Sequence, residues 1–211
     1  MTLQNDLSLS FPEIQGVKDE IPLRCIHPAP EQIRGNNLRH PRSGLGIGTV
    51  RGRIYVMGGH NNILPLETVE SMDPREGIWR EEPEMLYHRA YPATTSSGEC
   101  IFAVGGNFGG TCYSTSEVFD ARKGRWMSLP SLNIQRNGAA VALIGDSLYC
   151  VGGFDGSREV LSTCETLDLS KDILDGKWEI LPELMTPRDG CAMEVIKDRA
   201  MQVEMAERMR R

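Results

Sequence analysis

The sequence predicts an all-β chain: a β-propeller fragment of three complete four-stranded blades flanked by partial blades. Gly-Gly pairs recur at Gly58-Gly59, Gly105-Gly106 and Gly152-Gly153, two steps of 47 residues, and the three tryptophans, Trp79, Trp126 and Trp178, fall in the same register. Between these markers each unit divides into four short β patterns separated by turn residues. A fixed period of that length, with four antiparallel strands per period, describes one propeller blade.

The register extends to most of the unit. An aromatic stands three residues before each pair (Tyr55, Phe102, Tyr149). Glu70, Glu117 and Glu165 follow each pair by eleven or twelve residues, and Asp73, Asp120 and Asp168 come three further on. Each Trp lies two after a glycine (Gly77, Gly124, Gly176), four before Pro83, Pro130 or Pro182, and ten before Arg89, Arg136 or Arg188. Arg42 sits 47 residues before Arg89. In the third unit the strands read as 138–144, 147–153, 162–169 and 176–182. Tight turns join the first two strands of each unit at Arg51-Gly52-Arg53, Ser97-Gly98-Glu99 and Gly145-Asp146-Ser147.

Each choice has a structural reason. Paired glycines ending the second strand permit torsions or a close approach that a Cβ forbids. Tyr55, Phe102, Tyr149 and the three Trp are large apolar groups suited to the wedge-shaped space within and between blades. The Asp after the third strand bonds its own turn backbone. All these positions read as maintenance of the fold.

The combined pattern, Arg-x-Gly…(Tyr/Phe)-x-x-Gly-Gly…Glu-x-x-Asp…Gly-x-Trp…Pro, resembles the kelch repeat, and it covers about residues 39–198. Blades are expected at about 43–89, 90–136 and 137–188, with the start of a fourth at 189–198. Residues 1–38 show neither strand alternation nor helical periodicity and read as irregular or disordered; Gln32 stands where an earlier Trp is due. At the other end the register calls for an aromatic at 201 and Gly-Gly at 204–205, where Met201, Glu204 and Met205 stand. Residues 199–211 are therefore expected to be a charged helical or disordered tail, rich in good helix formers.

Propellers usually need four to eight blades to remove their open edges. The expectation is a shortened version of a longer kelch protein, or self-association with a second copy to complete the propeller. Residues 1–38 are too short to supply an N-terminal BTB-type domain.

Strand parity places the segments between blades on the same face as the loops that follow Gly-Gly, with the tight turns opposite. Most of the extra length of the third unit (170–176) decorates the turn face. The post-Gly-Gly loops differ in content, and variable loops on a repeated frame are where binding lives. Candidate partner-binding residues are Arg42, Arg89, Arg136 and Arg188 in an arc, with His60, Asn61, Asn107, Phe108, Phe154, Asp155 and Arg158 from the loops. Resemblance to kelch substrate receptors implies that the Arg lie on the ligand face and take carboxylates, which suits a protein or peptide carrying an acidic motif. The alternative is that they brace neighbouring loops.

A net charge of −6 without a dense Lys/Arg face argues against nucleic acid. The amino terminus lacks a basic start followed by an apolar run, and no apolar stretch is long enough for a bilayer, so a cytoplasmic location is expected. Six scattered Cys (25, 100, 112, 150, 164, 191) read as reduced thiols, with Cys150 and Cys191 in core slots. Cys112 beside Tyr113 resembles the pairing in copper radical oxidases, but the four His (27, 40, 60, 88) show no metal-ligand pattern. No metal, cofactor, nucleophile–base pair or phosphate loop is expected. The reading is a non-catalytic protein-interaction module. The alternative is the substrate-recognition part of a cullin-type ubiquitin ligase adaptor; a propeller oxidase or sugar isomerase has less support.

Overall fold

The computed structural model describes residues 36–170, 176–196 and 199–202, and its regular elements are all β-strands. The first blade is an antiparallel meander of β1 (Gly46–Val50), β2 (Arg53–Met57), β3 (Val69–Asp73) and β4 (Ile78–Glu82). The second carries β5 (Ala93–Ser97) and β6 (Cys100–Val104), then a small hairpin of β7 (Asn107–Phe108) and β8 (Thr111–Cys112), then β9 (Ser116–Asp120) and β10 (Arg125–Leu129). The third is β11 (Ala140–Ile144), β12 (Ser147–Val151), β13 (Cys164–Asp168) and β14 (Glu179–Leu181). Their registers coincide: Tyr55 opposes Gly48, Phe102 opposes Thr95 and Tyr149 opposes Ala142.

A fourth unit continues further than its sequence suggests. β15 (Met193–Ile196) pairs with β16 (Arg199–Gln202), so residues 199–202 are a strand and not the start of a helical tail. Met201 stands opposite Glu194, in the place held by the aromatic in the other units. Helix propensity is a weak prior, and pairing with β15 overrides it here. The proposed irregular segment up to residue 35, residues 171–175 of the insertion and the tail beyond 202 lie outside the described residues.

The inner strands β1, β5, β11 and β15 lie side by side, and small residues let them approach. A Cβ at Gly46 would overlap the Thr94 side chain, and one at Gly48 would come within 2.9 Å of Ile101. Thr94 Oγ1 accepts from the Ile47 N–H at 3.0 Å and donates to the Ile47 carbonyl at 2.9 Å, while Ser96 Oγ accepts from the Thr49 N–H at 3.0 Å. Side-chain hydroxyls of the second blade thus satisfy Ile47 and Thr49 on the free edge of β1, which would otherwise offer unpaired backbone groups.

The core lies between blades as much as within them. Tyr55, Met57 and Val69 of the first pack against Ile101, Phe119 and Trp126 of the second, with Phe119 5.8 Å from Tyr55 and 5.3 Å from Trp126 between ring centroids. Phe102 and Val118 meet Val141, Leu148 and Trp178 in the same way. The repeated Trp and Pro are joined across blades: Trp126 Nε1 donates to the Pro83 carbonyl and Trp178 Nε1 to the Pro130 carbonyl, both at 2.9 Å. Each repeated Asp accepts from the N–H two residues on (Arg75, Arg122, Ser170), again at 2.9 Å, and so closes the outer turn.

The Gly-Gly pairs owe their identity to the next blade. Gly58, Gly105 and Gly152 have φ of 61°, 64° and 64°, and a Cβ on any of them would overlap the carbonyl oxygen of Arg89, Arg136 or Arg188. The second glycine of each pair donates its N–H to that same carbonyl, at 2.7, 2.8 and 2.6 Å. Gly98, by contrast, has φ of 58° but nothing within 4 Å of its notional Cβ. Gly105→Ala is expected to cost about 3 kcal/mol or more in urea unfolding, and Gly98→Ala only about 1 kcal/mol, the cost of the torsion alone. Equal costs would show that torsion, not the close approach, selects glycine at 105.

Candidate functional site

The repeated Arg are built into the interior. The side chains of Arg42, Arg89 and Arg136 are fully buried, each against an equally buried carboxylate from the third strand of the blade it enters. Arg42 Nη2 lies 2.7 Å from Glu70, Arg89 Nε 2.6 Å from Glu117, and Arg136 Nη2 2.6 Å from Glu165. The remaining donors of Arg42 and Arg136 are also engaged, whereas Arg89 Nη2 is buried without a hydrogen-bond partner. Arg42 Nη1 donates to the carbonyls of Gly58 and Thr68, both at 2.8 Å, and Arg136 Nη1 donates to Gly152 and Thr163, at 2.8 and 3.0 Å. Arg89 makes the matching bonds to Gly105 and Thr115, with its guanidinium carbon 5.4 Å from the Tyr87 ring centroid and 5.7 Å from that of Tyr113. Arg188 is half-buried and ties its N–H to the Leu161 carbonyl at 3.0 Å.

The expectation that Arg42, Arg89 and Arg136 offer an arc of cations to a ligand is therefore corrected. A buried charge requires a partner, and each of these has one inside the chain. Bracing, the alternative reading, is what their geometry performs. The carboxylates grip the junction backbone as well: Glu70 accepts from the N–H groups of Arg39 and His40 (2.7 and 3.1 Å), Glu117 from Leu86 (2.7 Å), and Glu165 from Asn133 and Ile134 (2.7 and 3.2 Å).

Most loop candidates also hold their own loops. His60, Asn107 and Phe154 pair with Ser43, Ala90 and Asn137, the residues just after each Arg. Asn61 Oδ1 accepts from the N–H groups of Ile63 and Leu64 at 3.0 and 2.9 Å, and the Asp155 carboxylate accepts from Ser157 and Glu159 at 2.7 and 3.2 Å. Arg158 is exposed, with φ of 131°. Phe108 is exposed on the β7–β8 hairpin and stacks on His88, centroids 5.6 Å apart. Cys112 is buried between loops: its thiol donates to the Phe154 carbonyl at 3.4 Å and accepts from Asn137 Nδ2 at 3.0 Å, and burial raises its pKa. Burial also pushes Cys150 up to about 12, as befits an inert core thiol.

Sequence reasoning missed the most exposed groups on this face. Ile63, Leu64, Leu86, Tyr87, Tyr91, Val160 and Met185 all stand out from junctions or post-Gly-Gly loops, alongside Phe108. Tyr91 is distinctive. Its φ is 52°, and the equivalent positions in the other units are Gly44, Gly138 and Gly190, with φ of 59°, 60° and 61°. A bulky residue in the left-handed region carries a strain of about 1–2 kcal/mol. Tyr91 nevertheless stays half exposed, its ring laid across Gly44. The signal was present as a Tyr in a glycine register.

Two outcomes follow for the Arg–Glu pairs. Glu117→Ala is expected to lower unfolding free energy by about 3–5 kcal/mol, because it leaves the buried Arg89 uncompensated; urea denaturation measures it. For Glu70, burial raises the pKa, but hydrogen bonds from Arg39, Arg42 and His40 outweigh burial and hold it below the ordinary glutamate value. Its contribution is therefore fully present above the ordinary value and is lost as pH falls through the lowered folded pKa. Glu70→Gln should melt below the wild type at neutral pH, with the difference closing as pH drops through the folded pKa in thermal melts.

A family model described as the Kelch motif matches residues 41–86, 88–133 and 135–185. Relatives include Protein C13 of swinepox virus, 51% identical over 45 residues (21% of this chain, 9% of the relative). An F-box/kelch-repeat protein of Arabidopsis thaliana is 34% identical over 73 residues (35% of this chain, 15% of the relative). Human Kelch-like protein 6 is 30% identical over 76 residues (36% of this chain, 11% of the relative). The chain thus matches a minor part of each relative's length. With three motif matches over the three described blades, the chain belongs to the kelch-repeat family, whose repeats form protein-interaction modules.

Proposed function

We propose that the chain is a non-catalytic interaction module that holds a protein partner on the face formed by the junctions and post-Gly-Gly loops. The supporting observation is the distribution of exposed apolar side chains. Of the large exposed hydrophobics among the described residues, Ile47, Ile78 and Ile180 lie on strands β1, β4 and β14, and every other one lies on the loop face. None lies in a described turn of the opposite face. Exposed apolar side chains gathered on one face mark an interaction surface, and rigid aromatics such as Tyr87 and Phe108 are common anchors. The buried Arg–Glu pairs hold the loops in place beforehand, which reduces the ordering cost of binding.

The kelch-like and F-box/kelch-repeat relatives favour, as a second reading, the substrate-recognition part of a cullin-type ubiquitin ligase adaptor. Under it, residues 1–211 bind substrate, and capture of a cullin by this chain alone would contradict that division of labour. A photo-crosslinking residue at Phe108 should give partner adducts, and one at Arg122 on the turn face should not. Adducts from Arg122 alone would overturn the assignment of the face.

A further inference from the structure

Four backbone positions form a rim where the loop face opens onto the inner strands. The N–H of Gly190 bonds the carbonyl of Gly138 at 2.9 Å, that of Gly138 bonds Tyr91 at 3.1 Å, and that of Tyr91 bonds Gly44 at 2.8 Å. Each rim residue leads into an inner strand, β1, β5, β11 or β15, and these strands line a cavity of about 360 Å³. Three of the four rim residues are glycine, so the only rim side chain is that of Tyr91. Its aromatic ring covers Gly44. On the other side of Tyr91, the carboxylate of Asp189 lies over Gly138, where a Cβ would overlap it. An aromatic face and a carboxylate therefore flank the same opening. Below it, the cavity wall presents Thr49, Thr94 and Ser96, and Glu194 is the only charged lining residue among the described residues.

The charges around the rim point the same way. Arg42, Arg89 and Arg136 are cancelled by buried partners, and Arg39 is engaged by Glu81 at 3.2 Å. Exposed acids remain on the junctions and loops at Glu84, Glu159, Glu183 and Asp189, against the exposed cation Arg158. A tyrosine face attracts a cation through its ring quadrupole, and a neighbouring carboxylate adds a charged acceptor. An acidic ligand would meet like charge here.

From this geometry we infer that the rim receives a Lys or Arg side chain from a basic segment of the partner protein, with Tyr91 and Asp189 as its first contacts and the Glu194-bearing cavity beneath. This rests on the loop face being the binding face. It also accounts for the Tyr at a position that the other units fill with glycine: the ring, half exposed over Gly44, supplies recognition.

The test is to pan a display library of short peptides on the 211-residue chain and measure selected peptides by fluorescence polarisation. Selected sequences should be enriched in Lys or Arg beside a large apolar residue, and their affinity should fall with rising salt. Tyr91→Gly installs the residue found at the three equivalent positions, so the fold is retained, as circular dichroism and the melting temperature will verify. It should weaken binding about tenfold or more, and Asp189→Asn should also weaken it. Selection of acidic peptides, or of no basic ones, overturns the inference. Basic peptides indifferent to both variants but lost with Phe108→Ser overturn the rim and leave the loop face standing. Peptides that crosslink only to the turn face overturn the face itself.

Discussion

The buried pairing of a junction Arg with a third-strand Glu is the contact on which the arrangement of blades depends. Arg89 and Arg136 each belong to two blades at once. The carbonyl of each receives the N–H of the second glycine in the blade it leaves, and its guanidinium enters the blade that follows. The Glu closes the arrangement by accepting N–H groups from the same junction. Isolated, any such pair would gain little over an apolar replacement, because desolvation offsets the attraction. What it provides is direction. Donors and acceptors that are satisfied in one arrangement fix where one blade ends and the next begins, and with that the placement of every loop.

The blade plan was legible because its determinants are local or periodic. The aromatic, the Gly-Gly pair, the Asp that closes its turn and the Trp recur at fixed spacing, and their roles follow from residue chemistry. The Arg and Glu recur just as regularly, but their meaning depends on depth. A long cation is ordinarily exposed, and whether Arg89 faces solvent or Glu117 is decided by how two sheets stack. Tyr91 is the converse case. Its glycine register could be read from the chain, but its positive φ and its place on the rim could not. Residues 199–202 mark a third limit: good helix formers pair as a strand because β15 is already there.

Surface character follows from this interior. Had the three Arg been exposed, the loop face would carry a cationic arc. With them enclosed, its exposed groups are mainly aromatic, aliphatic and acidic, with Arg158 as an exposed cation. The same interaction that positions the loops thereby also decides the sign of charge that they present.

The double membership of Arg89 and Arg136 has a consequence for how such a chain is divided. Cutting within a junction separates the carbonyl tie from the guanidinium tie, and cutting at a turn between strands leaves one of the two without its counterpart. The repeat seen in the sequence is consequently not a unit that can be excised whole. Grafting, permuting or exchanging a single blade requires rebuilding one Arg–Glu pair and one glycine–carbonyl contact at the seam. The repeated parts are alike but not independent.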